Sequence, residues 1–193
     1  GSEQQTSTDA TPMVARIYGQ SGTTQVKQSP VIATGVAGTI DTTFGSDEIG
    51  AVDLTSLIAA GALKTVYAYR STNTNQGKML LGVDTTDTQV KISRFNEYNE
   101  TLDNSFGVSG TTTLAALNGL NHLSLDANNK IIVGGTYNGA GWAKRLDVNG
   151  AVDVAFENLI NLVEINAIYQ QKSGRYIVTG KDSSGNGVLV AFQ

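Results

Sequence analysis

TLDNSFG at residues 101–107 is echoed by TIDTTFG at 39–45 and AVDVAF at 151–156. Each copy sets an apolar residue, an aspartate, two intervening residues and a phenylalanine in the same order. A phrase written again at long intervals marks a repeat architecture, in which every copy belongs to one supersecondary unit. Asp41, Asp103 and Asp153 therefore hold one position in three units, and Phe44, Phe106 and Phe156 hold another.

The surroundings of the phrase read as strands. In KMLLGV (78–83), KIIVGG (130–135) and RYIVTG (175–180) a basic residue opens a run of apolar or small residues and glycine stands at or near its end, as in a buried strand ending at a turn. Each is preceded by a strand-like stretch and a polar turn, in VYAYRSTNTNQG (66–77), HLSLDANN (122–129) and NAIYQQKSG (166–174). A further strand follows in TQVKISRFN (88–96), GWAKRLDV (141–148) and GVLVAFQ (187–193). The Asn, Ser and Gly clusters between them tolerate positive φ and suit tight hairpins. The unit is a three-stranded β-meander that ends on the Asp/Phe phrase.

Spacing is unequal: 62 residues separate Phe44 from Phe106, and 50 separate Phe106 from Phe156. Loops thus vary around a constant strand core, as in propeller blades rather than in a tight solenoid. The expected fold class is all-β, with repeated antiparallel meanders of three to four strands forming a β-propeller-like partial or small ring. Repeats are placed at about 46–107, 108–156 and 157–193, after a partial copy at 13–45 in which ARIYG (15–19) stands where KMLLG stands, QSGT makes the turn, and TQVKQSPVIA (24–33) matches TQVKISRFN. Pro30 removes a backbone donor and makes that last stretch an edge or a bulge. Apolar positions in GAVDLTSLIAAGALK (50–64) allow one or two helical turns, the only helix expected. Gly1 and Ser2 resemble a remnant of tag removal, and the polar stretch to Pro12 reads as a linker, leaving 13–193 as a single domain.

Composition narrows the function classes. The net charge is −4 and the lysines are scattered singly, which gives no basic face for nucleic acid. Cysteine is absent, which excludes disulfides and thiolate metal sites. No apolar run is long enough for a membrane helix, so membrane insertion is not expected. Only 16 % of residues are charged against 22 glycines, a balance that favours β-rich surface proteins.

RLDVNGAVDVAF (145–156) and SRFNEYNETLDNSFG (93–107), each following KIIVGG or KMLLGV, resemble the delta-60 repeat. Its pattern runs roughly N-G-K-I-x-V-G-G, a turn, a strand ending R-Y/L-N, then x-D-G-S-L-D-x-x-F-G. The likeness extends over about residues 13–193 and departs from the pattern where Ala191 takes the usual arginine position of the last copy. It implies a propeller-like repeat domain of a bacterial secreted or surface protein, without catalytic residues. About three and a half units fall short of an ordinary ring of four to eight blades, so either the N-terminal strands complete the last blade or other copies do, and self-association is expected.

Candidate sites are few. Asp147, Asn149, Gly150 and Asp153, like Asp182 and Asn186, resemble parts of a calcium loop, yet the closing bidentate glutamate is missing. Asx turns, in which the carboxylate caps backbone amides, explain them better. The repeated aspartates favour architecture over chemistry, since catalytic pairs need two different environments. His122 alternates with Leu123 and Leu125 on a strand and has no nucleophile elbow near it. GGTYNGAG (134–141) lacks a following helix and reads as a hairpin, not a phosphate loop. Trp142, the single tryptophan, with Tyr137 and Asn138 nearby, is weighed as a sugar-stacking platform against plain packing, and packing is favoured. No cofactor or metal is expected. The resulting expectation is a non-catalytic recognition or adhesion module with a glycan or protein ligand; a structural spacer comes second and a carbohydrate-active enzyme third.

Overall fold

A computed structural model describes residues 13–15, 22–25, 32–35, 51–53, 61–70, 77–85, 87–96, 101–156 and 161–192, with backbone alone for the strands before residue 77. Residues 1–12 and the first copy of the phrase, with Asp41 and Phe44, lie outside the described residues, as does Pro30. The described chain is all-β and antiparallel, and no helix occurs among the described residues. It forms two compact units, Gly1–Ala59 with Tyr98–Glu100, and Ala60–Glu97 with Thr101–Gln193.

The first unit contributes two ribbons. β1 (Met13–Ala15) pairs with β4 (Ala51–Asp53), and β2 (Gly22–Gln25) pairs with β3 (Ile32–Gly35). The hairpin expected between ARIYG and TQVKQSPVIA is therefore replaced by one within 22–35, while Ala15 pairs with Ala51. Residues 51–53 and 61–64 are strand rather than helix; pairing along Gly61–Leu63 with Val83–Thr85 overrides the local spacing of apolar residues.

The second unit holds three sheets. The first is β5 (Gly61–Arg70), β6 (Gly77–Thr85), β7 (Gln89–Asn96) and β8 (Thr111–Ala115) in that order. The second is β9 (Leu120–Leu125), β10 (Ile131–Tyr137) and β11 (Ala140–Leu146), and the third is β12 (Glu164–Gln170), β13 (Tyr176–Lys181) and β14 (Gly187–Phe192). All three meanders place their strands where the alternation of the sequence put them.

Alternation across the central strands explains the packing, because successive side chains point to opposite faces. On β10, Ile131 and Val133 enter a core shared with Leu80, Ile92 and Phe106 of the first sheet. Ile132 enters a second core with Phe156, Ile165, Ile168, Tyr176 and Val178 of the third. The second sheet is thus buried on both faces, which is why KIIV reads as an unbroken apolar run.

The equivalence of the sheets extends to an irregularity. Each first strand skips one residue in its pairing with the second: Lys64 opposite Gly82/Val83, Asn121 opposite Gly134/Gly135, and Asn166 opposite Thr179/Gly180. A bulge at one register position of three sheets is a designed feature that re-aims the strand end. In the second sheet, Asn121 Nδ2 uses the bulge to donate to Ile165 O of the third sheet (2.8 Å).

Candidate functional site

The Asp/Phe phrase closes each junction between sheets. After β7 the chain turns so that Asp103 N–H donates to Arg94 O, and after β11 Asp153 N–H donates to Arg145 O, both at 2.8 Å. Phe106 and Phe156 N–H then donate to the carbonyls of Asp103 and Asp153. The carboxylates cap these turns, Asp103 Oδ1 accepting from Ser105 N–H (3.1 Å) and Asp153 Oδ1 from Ala155 N–H (3.2 Å).

The other carboxylate oxygen is held by two bases. Lys78 Nζ and Arg94 Nε donate to Asp103 Oδ2 at 2.7 and 2.9 Å; Lys130 Nζ and Arg145 Nε donate to Asp153 Oδ2 at 2.7 and 3.0 Å. Each guanidinium also lies over the phenylalanine of its phrase, Arg94 at 4.7 Å from the Phe106 centroid and Arg145 at 4.8 Å from that of Phe156. Lysine, arginine, aspartate and phenylalanine thus form one clamp, a stacked cation on one side and a two-pronged ion pair on the other. The lysine that opens KMLLGV and the arginine of the next strand were the signals for it in the sequence, and only the fold shows that they converge on the aspartate.

Ionisation follows from this geometry. Burial opposes charge on Asp103, but hydrogen bonds from Lys78 and Ser105 and the charge of Arg94 outweigh it, and the carboxyl lies well below the ordinary carboxylate range. Hydrogen bonds from Lys130 and Arg145 lower Asp153 to about 2. Neither carboxyl is held protonated near neutrality, as a general acid would have to be.

Across the first junction the turn Asp147–Gly150 seats on the phrase of the first sheet. Gly107 N–H donates to Asn149 O (2.8 Å), Thr112 Oγ1 donates to Gly150 O (2.7 Å), and Arg94 donates to Val148 O. Asp147 Oδ1 accepts from the amides of Asn149 and Ala151, and Asp182 Oδ1 from those of Ser184 and Asn186, so both form Asx turns. Across the second junction Tyr176 O–H donates to Asp126 Oδ2 (3.1 Å) while accepting from Arg145 Nη1 (3.2 Å).

Trp142, weighed between packing and a sugar platform, lies in the first core. The side chain is 5 % exposed within the first core, and its indole Nε1 donates to Asn118 O at 2.9 Å. No ring face remains for a ligand. Tyr137 is half-buried against the same core, and Asn138 lies in the β10–β11 hairpin turn, where Asn138 and Gly139 both have positive φ (50° and 73°). His122 donates to or accepts from Ser124 Oγ at 2.8 Å, and burial lowers its pKa. No group of three or more His, Cys, Asp or Glu suited to a metal occurs among the described residues.

Six large apolar side chains are exposed among the described residues. Val108 (82 % exposed), Val148, Val152 and Val154 (77 %) lie in or beside the two phrase turns and the turn seated on them. Tyr169 (66 %) and Leu189 (68 %) lie on the face of the third sheet opposite the second core. No protein-family model matches the chain, and no curated protein or solved structure does either.

Proposed function

We propose that this chain is a non-catalytic recognition module of a bacterial secreted or cell-surface protein, with delta-60-like repeats arranged as the blades of a small or partial ring. The observation that carries this reading is the use made of its repeated charged groups. Asp103 and Asp153, the acids repeated among the described residues, are each consumed by two bases and a turn. A glycoside hydrolase would need two carboxyls of unlike ionisation about 5–10 Å apart in a cleft. The clamps serve instead to hold one sheet to the next.

Recognition then falls to exposed surface, and the valines around the phrase turns favour a protein ligand over a glycan. Exposed aliphatic side chains suit protein contacts, whereas sugars are stacked on aromatic rings, and Trp142 offers none. The test is binding of the purified protein to envelope proteins and to a glycan array, with the Val108→Asp/Val154→Asp variant beside it. Binding to a protein that the variant loses, with an unchanged melting temperature, supports the reading. Cleavage of a glycan, or absence of any ligand, overturns it, the latter in favour of a structural spacer.

A further inference from the structure

Lys78 Nζ donates to two groups at once, Asp103 Oδ2 at 2.7 Å and Asn96 Oδ1 at 2.6 Å. Lys78 and Asn96 are paired directly across β6 and β7, which puts their side chains on one face of the sheet. The Asn96 carboxamide is oriented by both neighbours: Oδ1 accepts from the lysine, and Nδ2 donates to Thr101 Oγ1 (3.2 Å) on the exposed side. An amine, a carboxamide and a carboxylate therefore meet at one nitrogen, with Lys78 and Asp103 only 9 % and 8 % exposed.

The second sheet shows what is particular to the first. Lys130 makes the corresponding bond to Asp153, but Asp147 follows Leu146 where Asn96 follows Phe95. Its Oδ1 is engaged by the amides of Asn149 and Ala151, so no carboxamide stands at that place. Charge separates the two clamps as well. Lys78 and Arg94 share the carboxylate of Asp103, and this buried trio carries one surplus positive charge, a costly arrangement out of water. Lys130 and Arg145 do the same with Asp153, but their side chains stay 35 % and 21 % exposed and water solvates the surplus. Turning Lys78 into a neutral amide would leave Arg94 and Asp103 as a balanced pair.

From this juxtaposition we infer that Lys78 and Asn96 join in an intramolecular isopeptide bond, with Asp103 as the proton relay. One proton passes from the Lys78 ammonium to Asp103 Oδ2, and the freed lone pair of Nζ forms a bond to Cγ of Asn96. The Cγ–Nδ2 bond then breaks, its electron pair leaving with the nitrogen. Two protons in all move from the lysine nitrogen by way of Asp103 to the departing nitrogen, which leaves as ammonium on the Thr101 side. One ammonium side chain and one carboxamide thus give one secondary amide and one ammonium ion; nothing is oxidised or reduced, and Asp103 ends ionised. Contact holds the reacting groups together, and the carboxylate acts as base and then as acid. The link ties β6 to β7 at the open end of their hairpin and constrains the unfolded chain as a disulfide would, in a protein without cysteine. It does so whatever the module binds.

The test is intact-mass and tandem mass spectrometry of the full chain after prolonged incubation at mildly alkaline pH, which favours a neutral amine. The chain is expected to be lighter than its sequence by one ammonia. Trypsin is expected to spare Lys78 and to leave residues 71–91 joined to 95–130, while Lys130 is cleaved normally. Lys78→Gln and Asn96→Ser are each expected to keep the full mass, and Asp103→Asn to form the link roughly tenfold more slowly or less. Melting curves check that the variants fold; should Asp103→Asn not fold, the mass and the joined peptides of the unaltered chain decide. Full mass in the unaltered chain overturns the proposal, as does a lost ammonia that fragmentation traces to any other residue. A folded Asp103→Asn variant that links as fast as the unaltered chain overturns the relay.

Discussion

At the scale of the residue, the two clamps have the same members and differ in their surroundings. Lys78, Arg94 and Asp103 are buried, whereas the side chains of Lys130, Arg145 and Asp153 retain more exposure, 35 %, 21 % and 15 %. Removing Asp103 leaves two buried cations without their counter-ion, which costs about 3 kcal/mol or more. Asp103→Ala is therefore expected to lower the melting temperature by roughly 6–12 °C. Asp153→Ala is expected to lower it less, because water reaches Lys130 and Arg145. Equal losses in scanning calorimetry would show that burial does not set the value of the clamp. The same carboxylates set the acid limit. Both ionise below their unfolded value, near 3.8, so their contribution is complete above about pH 4 and is lost as the pH falls toward 2. The aspartates and phenylalanines were legible as architecture because they recur. Their bases were not, since strand spacing alone does not say which side chains meet across 25 residues from Lys78 to Asp103.

At the scale of the element, the meanders were legible and the closures were not. The apolar runs of KIIVGG and RYIVTG report buried strands, and Asn138–Gly139 reports a hairpin, because each is a local consequence of backbone geometry. β8 escaped notice because TTTLA is short and polar, and its pairing of Gln89–Ser93 with Thr111–Ala115 is tertiary. The shared bulge leaves no mark in the sequence, where Lys64, Asn121 and Asn166 have little in common beyond polarity. Trp142 shows the limit of reading one side chain, since a tryptophan at a strand start is compatible with either face. The turn seated on the first junction depends on glycine for two reasons. Gly150 has φ +89°, and a Cβ there would lie 2.5 Å from Thr112 Oγ1 and 2.8 Å from the Phe106 ring. Gly150→Ala is expected to cost about 1–3 kcal/mol from backbone strain and displacement of the ring. Gly174→Ala has φ +88° but open space around it, and separates the two effects. If both variants melt alike, the seat on Phe106 contributes nothing and strain accounts for the whole loss.

At the scale of the whole unit, the three sheets stand in a row in which stability is a sum of sheet and junction contributions. The second sheet has a junction on each face, with cores built around Phe106 and Phe156. The third has one, where Phe156, Tyr176 and Phe192 pack with ring centroids 5.2–5.7 Å apart. On its other face Tyr169 and Leu189 are exposed and Ile177 is half-buried. Opening of the third sheet alone therefore breaks one junction, whereas opening of the second breaks two and exposes both cores. Amides of β10 are expected to exchange more slowly than those of β13, by roughly tenfold or more for each 1.4 kcal/mol that the extra junction contributes. Hydrogen exchange read by mass spectrometry resolves the two strands, and both are central in their sheets and bonded on both sides. Equal protection would mean that the unit opens all at once. Slower exchange in β10 than in β13 would instead show that the second sheet, held at two junctions, is the last of the two to open.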